Sequence, residues 1–388
     1  MITQKKVAEH VGMSTKTVAN ILGGQDGYRY SDKTRKQVLE AAKELGYQEN
    51  RISRAIKRGR SNLIGVINLG SFSEISQRVQ AKLPSFINEE GYDYLSIDLN
   101  WHGGDIERVI AEVIQARVEG VIISHMVEAF GPQYTAILAK ADIPAVTLYG
   151  NGKLNIPLIA DDARAAYFAM TSHLLALKNQ RVMLFVGDED ASRPARLRRE
   201  GFAAALQGFA PVQAISSKDL TGSRIPWTAS AEGIILGMAA HSITEDITIT
   251  GYRAAKRVLA MDDIPDAIVC FNDRVAFGVF TAAFEAGLRI PEDLAVTGGD
   301  NDLFGEFPLY GLSTVEKDLD GATATSVKTL LSKIRKEKNV PERQFFSSTL
   351  VFRKSCGRTI APDGAATELI PVSPIPNTQL NPSLTSIL

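Results

Sequence analysis

Cysteine is nearly absent from this chain, and long apolar runs are missing altogether. Its 388 residues hold two cysteines, Cys270 and Cys356, far apart in the sequence. That excludes a disulfide framework or a cysteine-rich metal site. Cys270 lies in the apolar run AIVCF and reads as core. No stretch of about eighteen uninterrupted apolar residues occurs, so no membrane span is expected. Met1 leads straight into Thr3 and a helix-like segment without an apolar signal core, so the cytosol is the expected compartment. Histidine is scattered (His10, His102, His125, His173, His241) and forms no ligand set. With no phosphate loop, metal cluster or nucleophile–base constellation in view, neither catalysis nor a metal or cofactor is expected.

What is present begins with residues 4–23, QKKVAEHVGMSTKTVANILG. Val7, Ala8 and Val11 recur at helical spacing, and Val18, Ile21 and Leu22 do so again after Gly12-Met13-Ser14. Glycine ends the first helix and Ser14 caps the second. Small Ala8 lets the two helices approach, and Val18 plugs the angle between them. This is the packing of a helix-turn-helix whose second helix enters a major groove; an ordinary helical hairpin is the alternative. Charge favours the first reading. Residues 1–60 carry thirteen Lys or Arg against six Asp or Glu, net +7, whereas the whole chain is net −1. The remaining residues therefore carry −8, a basic head on an acidic body, and a basic head suits a phosphate backbone. Ser31 begins a third helix over residues 32–45, with Val38, Ala41, Ala42 and Leu45 inward and Gly46 stopping it.

Residues 50–59, NRISRAIKRG, have an Asn cap, a Gly stop, four basic residues and Ile52 and Ile56 four apart. A helix this short is marginal alone, and a solvated linker is the competing reading. From Leu63 the pattern alternates. Strand runs LIGVINL, YDYLSIDL, GVIIS and PAVTLYG are separated by helical stretches near 75–90 and 106–118. After PLIA come helix 163–177, strand RVMLFVG and helix 194–207. A longer irregular region precedes helix 251–261, strand AIVCF, helix 273–286, strand LAVTGG and helix 321–336. Such alternation predicts an α/β core of two similar doubly wound parallel-sheet subdomains behind a small all-α domain. A small-molecule cleft should lie outside the carboxyl ends of their strands. The boundaries follow: helix-turn-helix 1–48, hinge 49–61, two-subdomain core 62–356 and a tail 357–388. The tail holds five prolines among many Ser, Thr and Asn and is expected to be disordered.

These segments together resemble the LacI/GalR family of bacterial transcription regulators. The resemblance rests on VAEHVGMSTKTVANIL, KTRKQVLEAAKELGYQENRISRAI, LIGV, IPAVTL, HLLALKNQRV, RLRREGF, FNDRVAFG and LAVTGGDND followed by LSTVEKD, in that order. It covers residues 3–354 and implies a homodimer on a near-palindromic operator. It also implies a hinge helix and a sensor core resembling periplasmic sugar-binding proteins, whose cleft takes an effector, mostly a sugar and in some members a nucleobase or nucleoside. Carried onto this sequence, Ser14, Thr15, Lys16 and Asn20 belong to the recognition segment, and Thr15 and Lys16 should reach base edges. Thr17, Tyr47, Asn50, Arg51 and Arg54 are expected mainly at phosphates. Ile56 stands where the family has a leucine that wedges into the minor groove. Ala19-Asn20 replaces a common Ser-Arg pair, and Leu22-Gly23 replaces Leu-Asn.

In the core, Arg198 and Asp273 match positions that hold effector polar groups, and Phe72 is a candidate apolar wall. Read locally, Arg198 could lie on a solvated helix face and Asp273 could simply cap its helix. The span between Phe202 and Gly251 is longer than the family's and contains Trp227. The rival class is a periplasmic-type solute-binding protein without DNA binding, which the +7 head and the missing signal core oppose.

Overall fold

The computed structural model describes residues 2–23, 30–47, 60–68, 74–99, 105–124, 131–150, 154–177, 181–187, 193–207, 212–218, 220, 224–225, 232–238, 246–357 and 368–373. The chain divides into two compact units, Met1–Asn62 and Leu63–Leu388. The hinge at 49–61 falls almost wholly outside the described residues.

The first unit holds three helices, α1 (Gln4–Val11), α2 (Thr15–Leu22) and α3 (Asp32–Glu44). Each begins on a hydroxyl cap: Thr3, Ser14 and Ser31 accept the N–H of Lys6, Thr17 and Thr34. Gly12 ends α1 at φ 67°, a left-handed conformation that a side chain resists. Val7, Ala8, Val18, Ile21, Val38, Ala41 and Ala42 form one small core, the set the helical spacing picks out.

The second unit contains two parallel sheets. One has the order β12-β5-β4-β3-β1-β2, from β1 (Leu63–Asn68), β2 (Asp93–Asp98), β3 (Gly120–Ser124), β4 (Ala145–Leu148), β5 (Leu158–Asp161) and β12 (Arg343–Phe346). The other runs β10-β9-β6-β8-β7, from β6 (Arg181–Gly187), β7 (Val212–Ser216), β8 (Glu232–Met238), β9 (Ala267–Cys270) and β10 (Ala295–Thr297). Every residue of β3, β4 and β9 is buried, because helices cover both faces and no alternation of polar residues is needed. Helices α4 (Glu74–Glu89), α5 (Ile106–Gln115), α6 (Pro132–Lys140) and α11 (Leu319–Ile334) flank the first sheet. Helices α7 (Ala163–Ala176), α8 (Arg193–Leu206), α9 (Ile247–Leu259) and α10 (Asp273–Glu285) flank the second. Cys270 is fully buried in this second core.

The chain passes between the subdomains after β5, between β11 (Thr314–Lys317) and α11, and between β12 and β13 (Ser348–Phe352). In both sheets the strand order reverses at the first strand laid down, between β2 and β3 around β1 and between β8 and β9 around β6. In open α/β sheets, ligands bind outside the carboxyl ends of the strands at such a point.

Two expectations are corrected. The stretch from Phe202 to Gly251 is not simply irregular. It contains β8, which lies beside β6 as β2 lies beside β1, and β7, which extends the sheet on its outer edge. The tail is not wholly without structure either. Residues Glu368–Pro371 form β14, antiparallel to β13, and the Val372 side chain is buried in the core with Leu174 and Phe352. Leu369 and Ile370 stay exposed, so Val372 is the side chain that anchors this segment, and an edge position tolerates the N–H that Pro371 lacks. Helix α6 adds an element that the strand-and-helix alternation did not single out.

Candidate functional site

In the first unit, Ser14 Oγ accepts the Thr17 N–H at 3.0 Å and lies 2.9 Å from Thr17 Oγ1. Both hydroxyls are therefore used in fixing the start of α2. Thr15 and Lys16 stand exposed on that first turn, which contains no acidic residue. Free N–H groups and an unopposed lysine make this end electropositive. Asn20 Nδ2 donates to the Tyr30 hydroxyl at 3.0 Å, so part of that amide holds the fold rather than facing outward. Tyr47 is half-buried against the three-helix core. Asn50, Arg51, Arg54 and Ile56, and also Phe72, lie outside the described residues.

In the second unit, Arg198 is 4% exposed and sits between two rings, 4.1 Å from the centroid of Phe271 and 5.2 Å from that of Tyr167. The guanidinium is held by cation–π contact on both flanks. Its Nε and Nη1 have no hydrogen-bond partner among the described residues. Burial alone would depress its pKa, but the Tyr167 hydroxyl and the carboxylates of Asp300 and Asp161 push it up further, so the side chain stays charged. Asp161 ends β5 of the first subdomain, and Asp300 follows β10 of the second. The arginine is thus faced by acids from both halves of the core. Tyr149, at the end of β4, faces the same place: burial first, then Asp161, Asp318 and Asp300, raise its pKa. Arg198 is therefore a buried residue and not one on a solvated helix face.

Asp273 has a different position. It is 1% exposed, and both carboxylate oxygens are occupied, one by the Thr314 hydroxyl at 2.6 Å and the other by the Asp302 N–H at 2.6 Å. Helix α10 is capped instead by Asn272, whose Oδ1 accepts the Val275 N–H at 3.0 Å. Burial, with help from Asp300 and Asp302, pushes the Asp273 pKa up to about 7. This carboxyl braces the loop after β10, whereas Asp300, paired with Lys317, helps with Asp161 to keep Arg198 charged. The sequence offered Asp273 and Asp300 in similar settings, each just past a strand. The second carries the signal that was passed over: it directly follows the pair Gly298-Gly299. A Cβ on Gly298 would lie 2.0 Å from Asp273 Oδ1, and one on Gly299 would lie 2.5 Å from the Tyr167 hydroxyl. Only glycines let this loop approach so closely.

Two family models match within this core. One, described as periplasmic binding proteins and sugar binding domain of the LacI family, matches residues 81–220. The other, a periplasmic binding protein-like domain, matches residues 171–356. The HTH-type transcriptional repressor PurR of Pasteurella multocida is 25% identical over 92% of this chain and 98% of its own length. The chain belongs to the LacI/GalR family. The ribose operon repressor of Escherichia coli strain K12 is also 25% identical, over 86% of this chain and 93% of its own. Among solved structures, the lac repressor dimer bound to operator and the anti-inducer ONPF superposes with a TM-score of 0.72. It is 23% identical over 92% of this chain and 99% of that one. A CelR–cellobiose complex matches at a TM-score of 0.60 and 20% identity, over 92% and 100%. At these identities the likeness to solved structures is one of fold. As in other LacI/GalR regulators, helix-turn-helix and effector core occupy one chain, and no described helix is long and apolar enough to cross a membrane.

Proposed function

We propose that this LacI/GalR regulator is a cytoplasmic, non-catalytic repressor. It binds a near-palindromic operator as a homodimer, and a sugar-like effector in the cleft between the two α/β subdomains alters its operator affinity. Thr15 and Lys16 read bases, with Ser14 and Thr17 shaping the helix start and Asn20 beside them. Tyr47, Asn50, Arg51 and Arg54 contact the backbone, and Ile56 enters the minor groove.

The observation that carries the effector reading is Arg198. A buried, charged guanidinium with two unused donors, opposite Asp161 and Asp300, suits a ligand rich in adjacent hydroxyls that both accept and donate. A planar nucleobase needs an open aromatic face. The Phe271 face nearest this place is already covered by the guanidinium, which favours the sugar; the ribose operon repressor and the CelR–cellobiose complex are sugar-linked by name.

The homodimer is supported by an apolar surface after β10. Leu303, Phe304, Phe307 and Leu309 are each at least half exposed, and the Phe304 ring meets Phe277 of α10 edge to face and Phe307 at a tilt. Monomers rarely leave such contiguous apolar area bare.

A thermal-shift screen of sugars and nucleobases on the purified protein tests the reading, since a ligand that binds only the folded state raises the melting temperature. A sugar should raise it for the wild type and not for Arg198→Ala, while operator binding by that variant persists without a response to the sugar. An equal rise in both proteins would place the site elsewhere.

A further inference from the structure

The loop that follows β10 has a backbone that side chains resist. Asp300 has φ 130° and Asn301 φ 49°, two successive non-glycine residues in left-handed conformations. Such a pair persists only where its surroundings hold it. Its N–H groups are held from within the second subdomain: Asp300 donates to the Val315 carbonyl at 2.9 Å and Asn301 to the Thr314 hydroxyl at 3.3 Å. The Asn301 side chain donates to Glu316 and accepts from Arg353 at 2.9 Å. The loop's carbonyls are held from the first subdomain. Arg78 of α4 donates from Nη1 to the Asp300 carbonyl at 3.0 Å and to the Asn301 carbonyl at 3.3 Å. Its Nη2 donates to Glu316 of β11 at 3.0 Å.

We propose that Arg78 is a positioning residue for the effector site. From the first subdomain, its guanidinium fixes the Asp300–Asn301 backbone and so the place from which the Asp300 carboxylate is presented. The part given to Asp300 rests on the effector reading; the Arg78 contact and its test do not.

The chemistry of the side chain matters here. The Arg78 and Glu316 side chains are 29% and 31% exposed, so their ion pair alone contributes little. What the guanidinium adds is geometry: one rigid planar fork meets two backbone carbonyls and a carboxylate together. A lysine in its place would keep the charge beside Glu316 but would bring one nitrogen to three acceptors on two segments. Because the contact joins the two subdomains, moving them apart withdraws both donors from the loop. Two carbonyls then lose their partner, and Asp300 is free to leave its left-handed conformation. The Asp300 carboxylate, which pairs with Lys317, is therefore held in this place only while the subdomains are together. Lys82 gives the contrast. One turn further along α4, it pairs with Asp320 of α11 at 2.5 Å, inside its own subdomain.

Amide hydrogen exchange on the full chain, free of DNA and sugar, reads the loop directly in a peptide covering residues 298–306. A hydrogen bond from a charged donor to a carbonyl is worth at least about a factor of ten in a local opening equilibrium. Exchange there should therefore be about tenfold faster in Arg78→Ala than in the wild type, while residues 273–285 of α10 keep their wild-type rates. Arg78→Lys, which conserves charge and stem, should not rescue the loop and should exchange about as fast as Arg78→Ala. Lys82→Ala should leave the loop at its wild-type rate. Wild-type exchange of residues 298–306 in Arg78→Ala, full rescue by Arg78→Lys, or an equal acceleration of residues 273–285 would overturn the positioning role. None of these results would touch the repressor reading, whose own test is the melting screen.

Discussion

Lys16 has no acidic neighbour on the first turn of its helix, and its charge stands exposed where the three-helix core leaves it. Replacing it with alanine removes no packing, so the effect falls on DNA. Lys16→Ala should weaken operator binding by about 1–3 kcal/mol and flatten preference at one symmetric pair of base positions. Equal losses on operator and random DNA in a binding titration would instead assign Lys16 to phosphate. Residues of this kind are legible in sequence, because exposure, cap and charge are all local. Arg198 was legible only as a member of RLRREGF; that two rings from α7 and the end of β9 flank it is a tertiary fact. Asp273 and Asp300 show the limit more sharply. Both are aspartates just past a strand, and that Asp273 is taken up inside the fold is decided by Thr314, forty-one residues beyond it and on β11.

At the scale of elements, the α7–α8 crossing rests on one absent side chain. A Cβ on Gly201 would lie 2.2 Å from the Arg164 carbonyl oxygen. Alanine would gain about 1 kcal/mol of helix propensity, but the obstruction is backbone and cannot swing aside. Overpacking of this sort costs about 1–3 kcal/mol, and backbone contact sets it toward the upper end. Gly201→Ala should therefore be destabilising by about 2 kcal/mol net, seen as a lower urea midpoint with unchanged slope; a stabilised variant would mean the helices can part freely. The long helices and the buried strands were readable from periodicity to within a few residues. Strand β8 was not, because EGIILGM sits between stretches rich in Ser, Thr and Ala, and its partner β6 is fifty residues earlier. Strand β14 was hidden by the prolines around it. Four residues pairing with β13 do not register as a period, and composition alone favours disorder.

For the whole molecule, Phe304, Phe307 and Leu309 stand exposed after β10, and the proposed dimer would cover them. If they form the dimer face, Phe307→Asp with Leu309→Asp should give monomers by sedimentation at micromolar concentration. Operator affinity should collapse with it, because each half-site would then be held by one head alone. A dimer that survives both changes would have to join elsewhere. Strand β14 has a bearing on how such experiments are built. Val372 N–H donates to the Ser348 carbonyl at 2.9 Å, so residues 368–373 act as the outer wale of the hull rather than as rope trailing behind it. A reporter or affinity handle spliced in at residue 357 would strip that plank away, bare the edge of β13 and open the pocket that Val372 fills. One joined after residue 373 leaves the planking whole.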